Sequence, residues 1–126
     1  MQLHRTSASA TILVLSTRSL ASSIAAEISA TGGYVVRGRN LVPATGKWTA
    51  GVSTKQMKFT YTTAGLVFTA NGASLKNIKY ALIRNSTSAT GGNVLCFCTL
   101  STAAFSVTTG NTLTISPAAT GVFTLA

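Results

Sequence analysis

Apolar and polar residues alternate most cleanly in KQMKFTYT, residues 55–62. Met57, Phe59 and Tyr61 point one way there, and Gln56, Lys58 and Thr60 point the other. One buried and one wet face is the signature of an antiparallel strand. The same period recurs in shorter pieces. YVVRGRNL (34–41) would set Val35, Arg37 and Arg39 on one face and Tyr34, Val36 and Gly38 on the other. LVFT (66–69) is a short run closed by ANGAS, whose Asn71-Gly72 pair suits a left-handed turn. NTLTIS (111–116) directs Leu113 and Ile115 inward, and GVFTLA follows Pro117.

Two longer runs, NIKYALIR and NVLCFCTL, are apolar on both faces. Ile78, Tyr80 and Leu82 oppose Ala81 and Ile83; Val94, Cys96, Cys98 and Leu100 oppose Leu95 and Phe97. Such double-sided runs predict central strands, joined as a hairpin by the small polar and glycine tip of residues 85–93. Near the N-terminus, ATILVLS (10–16) reads as the first core strand. Leu20, Ile24 and Ile28 recur at helical spacing, so at most one short helix is expected near residues 18–29, ended by the glycines of ATGG. Short strands punctuated by Gly, Asn, Pro and Ser/Thr clusters predict an all-β fold, an antiparallel, jelly-roll-like β-sandwich. One domain over residues 1–126 is expected, with residues 1–9 as an extended N-terminal arm carrying His4.

Composition sharpens this picture. Hydrophobic residues make up 46% of the 126 and charged residues only 9%, so Ser and Thr fill the polar positions. That excludes a disordered chain, which needs the reverse. The charge is lopsided, with ten Lys and Arg against the single acid Glu27, a net +9. A basic chain seats on nucleic acid, releasing counterions, or on an acidic protein surface. The basic residues are dispersed rather than interleaved with aromatics, which favours protein docking over nucleic-acid binding. Arg37, Arg39, Lys55 and Lys58 are the candidate contact cations, although a solvated strand face that discourages edge pairing explains Arg37 and Arg39 as well. The exposed hairpin tip adds Asn85, Gly91 and Gly92 as candidate contacts.

One carboxylate rules out paired-carboxylate glycoside hydrolysis and leaves a calcium or magnesium cage without its usual ligands. A Ser-His-acid triad would need His4 and Glu27, with no G-x-S-x-G present. Cys96 and Cys98 form C-x-C rather than C-x-x-C. On one strand face their Cα atoms stand roughly 6.5–7 Å apart. A disulfide prefers roughly 5.5–6 Å, so both are expected to be small buried hydrophobes. No catalytic residue, cofactor or metal site is expected, and an enzyme is not. No continuous run of apolar residues reaches the roughly 20 needed to span a bilayer.

Three segments, EISATGGYVVRGRNL, KQMKFTYTTAGLVFTANGASLKNIKYALIRN and NTLTISPAATGVFTLA, carry a resemblance over roughly the last hundred residues. They resemble small virion proteins of tailed bacteriophages, which share a glycine-rich segment after an acid, a paired mid-chain strand, a Y-A-containing strand and a closing G-[IV]-F-x-L. Arg84 stands where an aromatic is common, and the stretch before Glu27 is shorter and more basic. The resemblance implies a virion structural protein assembled in the host cytoplasm, foremost a capsid cement or decoration protein bridging major capsid protein subunits. Its partners would be the major capsid protein or neighbouring virion proteins, and it would self-associate as a homo-oligomer. A head–tail connector or tail component is the alternative within that family. A basic nucleic-acid-binding β-barrel is the alternative outside it.

Overall fold

The computed structural model describes residues 1–5, 26–41, 48–50, 57–61, 65–85, 93–118 and 122–125. Among them are nine strands and no helix: β1 (Gln2–Arg5), β2 (Trp48–Ala50), β3 (Met57–Phe59), β4 (Leu66–Thr69), β5 (Leu75–Arg84), β6 (Val94–Thr99), β7 (Phe105–Val107), β8 (Thr112–Ile115) and β9 (Phe123–Leu125). The chain is all-β, and β1/β5, β5/β6, β5/β7, β2/β3 and β3/β9 all pair antiparallel. The expected strand at 10–16 and most of the expected helix at 18–29 lie outside the described residues. Ala26 to Ser29 carry no helix: Glu27 bridges His4, and Ala26 before it is left-handed at φ 68°.

Contacts divide the chain into two compact units. The first comprises Met1–Arg39 and Thr69–Asn111, the second Asn40–Phe68 and Thr112–Ala126. In the first unit β5 is the organising strand, with β1 and β6 as its neighbours and β7 pairing its N-terminal end. Ala81, Leu82 and Ile83 are consecutive and all buried, which requires cover on both faces, as the double-sided apolar run predicts. At its start Asn77 adopts φ 60°, and the register with β7 slips between Leu75 and Ile78. Asn tolerates this left-handed conformation, so the bulge is placed where the side chain permits it.

In the second unit β2, β3 and β9 form a three-stranded sheet, and β4 lies beside β8 in a separate pair. Leu66 and Phe68 are buried while Val67 and Thr69 are exposed, so the short run LVFT is a strand with one buried face. Tyr61 is buried too, and its hydroxyl donates to the Ile115 carbonyl at 2.9 Å. Its buried position agrees with the face assigned from KQMKFTYT.

Three expectations are corrected. Residues 1–5 are not a free arm. Gln2–Arg5 pairs with β5 on one side and meets the segment at Ala26–Ile28 on the other, where Arg5 N–H donates to Ala26 O (2.9 Å) and Ile28 N–H to Leu3 O (3.0 Å). Leu3 and even His4 are fully buried, because the strand lies between β5 and the segment at Ala26–Ile28. Residues 34–41 are a turn rather than a strand, with Gly38 N–H donating to Val35 O and both Arg37 (φ 76°) and Gly38 (φ 73°) left-handed. A pleat cannot continue through two such residues, so Val35 and Val36 stand exposed instead of facing a core. Finally, of the two long apolar runs only β5 is central among the described residues: β6 has β5 as its sheet neighbour, and Leu95 is 47% exposed.

Gly38 is the residue that lets the turn close onto the N-terminus. Met1 and Arg39 exchange backbone bonds, the Arg39 N–H donating to Met1 O at 2.9 Å, and a Cβ on Gly38 would stand 1.8 Å from Met1 O. Gly38→Ala is expected to cost more than the ~1–2 kcal/mol of a left-handed non-glycine residue. It should also strip hydrogen-exchange protection from the Gln2–Arg5 amides; unchanged protection would contradict this packing.

Candidate functional site

The only carboxylate side chain sits at the centre of the first unit. Glu27 follows the left-handed Ala26 (φ 68°) and faces the turn at 34–38. Its Oε1 accepts from the Tyr34 hydroxyl at 2.6 Å and from the Arg37 backbone N–H at 2.7 Å. Its Oε2 accepts from Gln2 Nε2 at 3.3 Å. Tyr34 in turn accepts from the Leu3 N–H at 3.0 Å, so one chain of bonds runs from β1 through the phenol to the acid. Burial first, and then the hydrogen bond to Glu27, pushes the Tyr34 phenol well above its ordinary range. The neutral phenol is therefore the working form, fixed as donor to the carboxylate.

This network explains the left-handed Arg37. Its N–H is directed at a charged oxygen, a stronger partner than a neighbouring strand carbonyl would be. The predicted shared face of Val35, Arg37 and Arg39 does not exist. Arg37 and Arg39 are exposed at a turn, and the turn's backbone is pinned to Met1 and Glu27. Arg84, at the end of β5, is near enough to influence both the Met1 amine and Tyr34 electrostatically. The Met1 amine donates to the Arg39 carbonyl, and burial together with Arg84 lowers it to about 6.

Asn85 is exposed at the hairpin end, where its N–H donates to the Asn93 carbonyl at 2.8 Å. Lys58 lies on β3, paired with Thr49 and Thr124. Lys55, Gly91 and Gly92 lie outside the described residues. Arg37 and Arg39 are therefore the two candidate contact cations that are described together, two residues apart on one turn. Sequence reading found both but not their anchor, because nothing in the local pattern links Tyr34 and Gln2 to Glu27.

The cysteines also depart from expectation. Both are free, Cys96 half-buried and Cys98 exposed, so Cys98 is not core filling. They lie opposite Ile83 and Ala81 of β5 and share a face of a strand with one described sheet neighbour. The Cys96 thiol hydrogen-bonds to Cys98, which pushes Cys96 far up and lowers Cys98 to about 6 against burial. One thiol thus serves as donor and its neighbour as the stabilised thiolate.

Comparison of the chain with family models, with curated proteins and with solved structures finds no match. Among the described residues no group of three or more His, Cys, Asp or Glu side chains could hold a metal ion.

Two outcomes test this site. Tyr34→Phe leaves the Leu3 N–H without its acceptor and Glu27 without its shortest donor, and is expected to lower unfolding free energy by about 1–3 kcal/mol. An unchanged denaturation midpoint would contradict the network. Alkylation by iodoacetamide should fall first on Cys98, its rate rising with pH through a midpoint near about 6 as thiol becomes thiolate. Cys96→Ala should move that midpoint upward, towards an ordinary thiol; a midpoint that stays put would show that Cys96 is not the cause.

Proposed function

We propose that this chain is a bacteriophage virion structural protein, a β-sandwich capsid cement or decoration protein that seats its basic surface on acidic neighbours. The observation that carries the reading is the disposition of charge. Ten Lys and Arg stand against one acid, and that acid already accepts from Tyr34, Gln2 and the Arg37 backbone. The surplus of positive charge therefore has to be balanced from outside the chain, by solvent ions or by a partner. A protein partner of opposite sign would gain both association rate and register from it. The resemblance of residues 27–41, 59–68, 78–87 and 110–125 to small phage virion proteins supports the same reading, as does an all-β chain rich in Ser and Thr. Arg37 and Arg39, exposed on a turn that is held from below by Glu27, are the cations proposed to make the contact.

The test compares binding of the purified protein to purified capsid shells and to duplex DNA across a salt series. Binding to shells, weakened by the double change Arg37→Glu, Arg39→Glu, is expected. Binding to DNA alone, with log affinity falling steeply against log salt, would replace this reading by the nucleic-acid one.

A further inference from the structure

The first unit holds a second basic feature, distinct from the turn that carries Arg37 and Arg39. A cleft of about 350 Å³ is lined by Arg5, Ser29, Thr31, Ser74 and Lys76, with Ile28 and Ala73 as its apolar wall. Its two sides are locked together by backbone. Asn71 N–H donates to Gly32 O at 3.0 Å, and a Cβ on Gly32 would meet Ala73 O at 2.2 Å. Only glycine lets the segment at Ser29–Thr31 approach the start of β5 this closely.

The cleft presents donors. Arg5 Nη2 donates to Ser29 Oγ at 2.5 Å, which leaves the Ser29 hydroxyl proton to point elsewhere. Ser74 Oγ accepts from the Thr109 N–H at 3.3 Å and lies 3.5 Å from the Thr109 hydroxyl, so its proton is offered onward when the Thr109 hydroxyl is the donor of that pair. The Arg5 Nε is buried and meets no acceptor, which leaves the guanidinium under-satisfied. Neither Arg5 nor Lys76 can turn to a lining acid, because no acid lines the cleft and Glu27, the single one in the chain, is bonded to Tyr34, Gln2 and Arg37. Two cations and three hydroxyls, of which that of Thr31 already donates to the Ser29 carbonyl at 3.4 Å, therefore line one space without a counter-charge.

We propose that this cleft is a binding site for a phosphate-type oxyanion, either free or as the phosphate group of a small molecule. A tetrahedral oxyanion offers oxygens in several directions and matches donors arriving from Arg5, from the Ser29–Thr31 side and from the Ser74–Lys76 side. A planar carboxylate engages fewer of them at once. The guanidinium supplies the forked, permanently charged partner, and Lys76 a mobile point charge at the exposed rim.

The test is an NMR titration of the intact chain with inorganic phosphate and, separately, with a nucleoside monophosphate, using acetate as the planar control. Saturable shifts of the Ser29, Thr31, Ser74 and Lys76 amides are expected with both phosphate probes and weaker ones with acetate. Equal affinity for the two probes would assign the bare anion as the ligand; tighter nucleotide binding would assign a phosphorylated small molecule. Lys76→Gln, at an exposed position that should not disturb folding, is expected to weaken phosphate about tenfold, the loss of one charge-assisted contact. Lys79→Gln removes the same charge from the same strand outside the cleft, beside the Tyr80 ring, and should leave affinity unchanged. Equal weakening by the two variants, or shifts that never saturate, would reduce the site to diffuse surface charge and overturn the proposal.

Discussion

One carboxylate organises the first unit. Glu27 gathers the Tyr34 hydroxyl, the Arg37 N–H and the Gln2 amide within hydrogen-bond reach, and through Tyr34 it reaches the Leu3 N–H. Its consequences spread outward from there. The first strand is held between β5 and the chain at Ala26–Ile28, and the turn at 34–38 is folded back so that Arg39 pairs with Met1. A charged acceptor can draw several donors at once, which a neutral amide cannot do as strongly. The chain's single acid is thus an internal structural group, and that leaves its cations to look outward.

This division of labour accounts for the two basic features. On the turn, the arginine backbones serve the fold while the residues themselves are exposed. In the cleft, Arg5 belongs to a strand buried against β5 and Lys76 stands at that strand's start. Both arrangements place positive charge on rigid backbone, which is how a surface recognises a shaped anion rather than merely attracting ions. The thiol pair on β6 is separate in chemistry. It arises from two cysteines two residues apart on one strand face, and its reactivity follows from their contact with each other.

Much of the all-β fold was legible from local pattern. The period of two marked β3 and β8, a short apolar run marked β4, the double-sided apolar run marked β5, and Asn71-Gly72 marked the turn between β4 and β5. The hairpin of β5 and β6 follows from the two long runs around a small polar tip. What local pattern does not encode is partnership over long separations. QLHR reads as a polar terminus, yet Gln2, Leu3 and His4 are buried, with Glu27 and Tyr34 accepting from the Gln2 amide and the Leu3 N–H across long separations. YVVRGRNL reads as a strand until the carboxylate captures the Arg37 N–H and two left-handed residues end the pleat. Apolar residues on both faces of β6 do not say how many neighbours that strand has, and its exposure at Leu95 and Cys98 depends on that number. Of the candidate contacts, Arg37 and Arg39 were legible as surface cations, whereas Arg5 and Lys76 come together only through the pairing of β1 with β5 and the closure at Gly32.

The functional account turns on where the surplus charge finds its counterpart. Locating the chain in intact phage particles by electron cryomicroscopy tests this most directly. The account predicts repeated copies on the capsid shell, with Arg37 and Arg39 against acidic side chains of a neighbouring subunit. Absence of the chain from the particle, or its confinement to the packaged DNA, would contradict it.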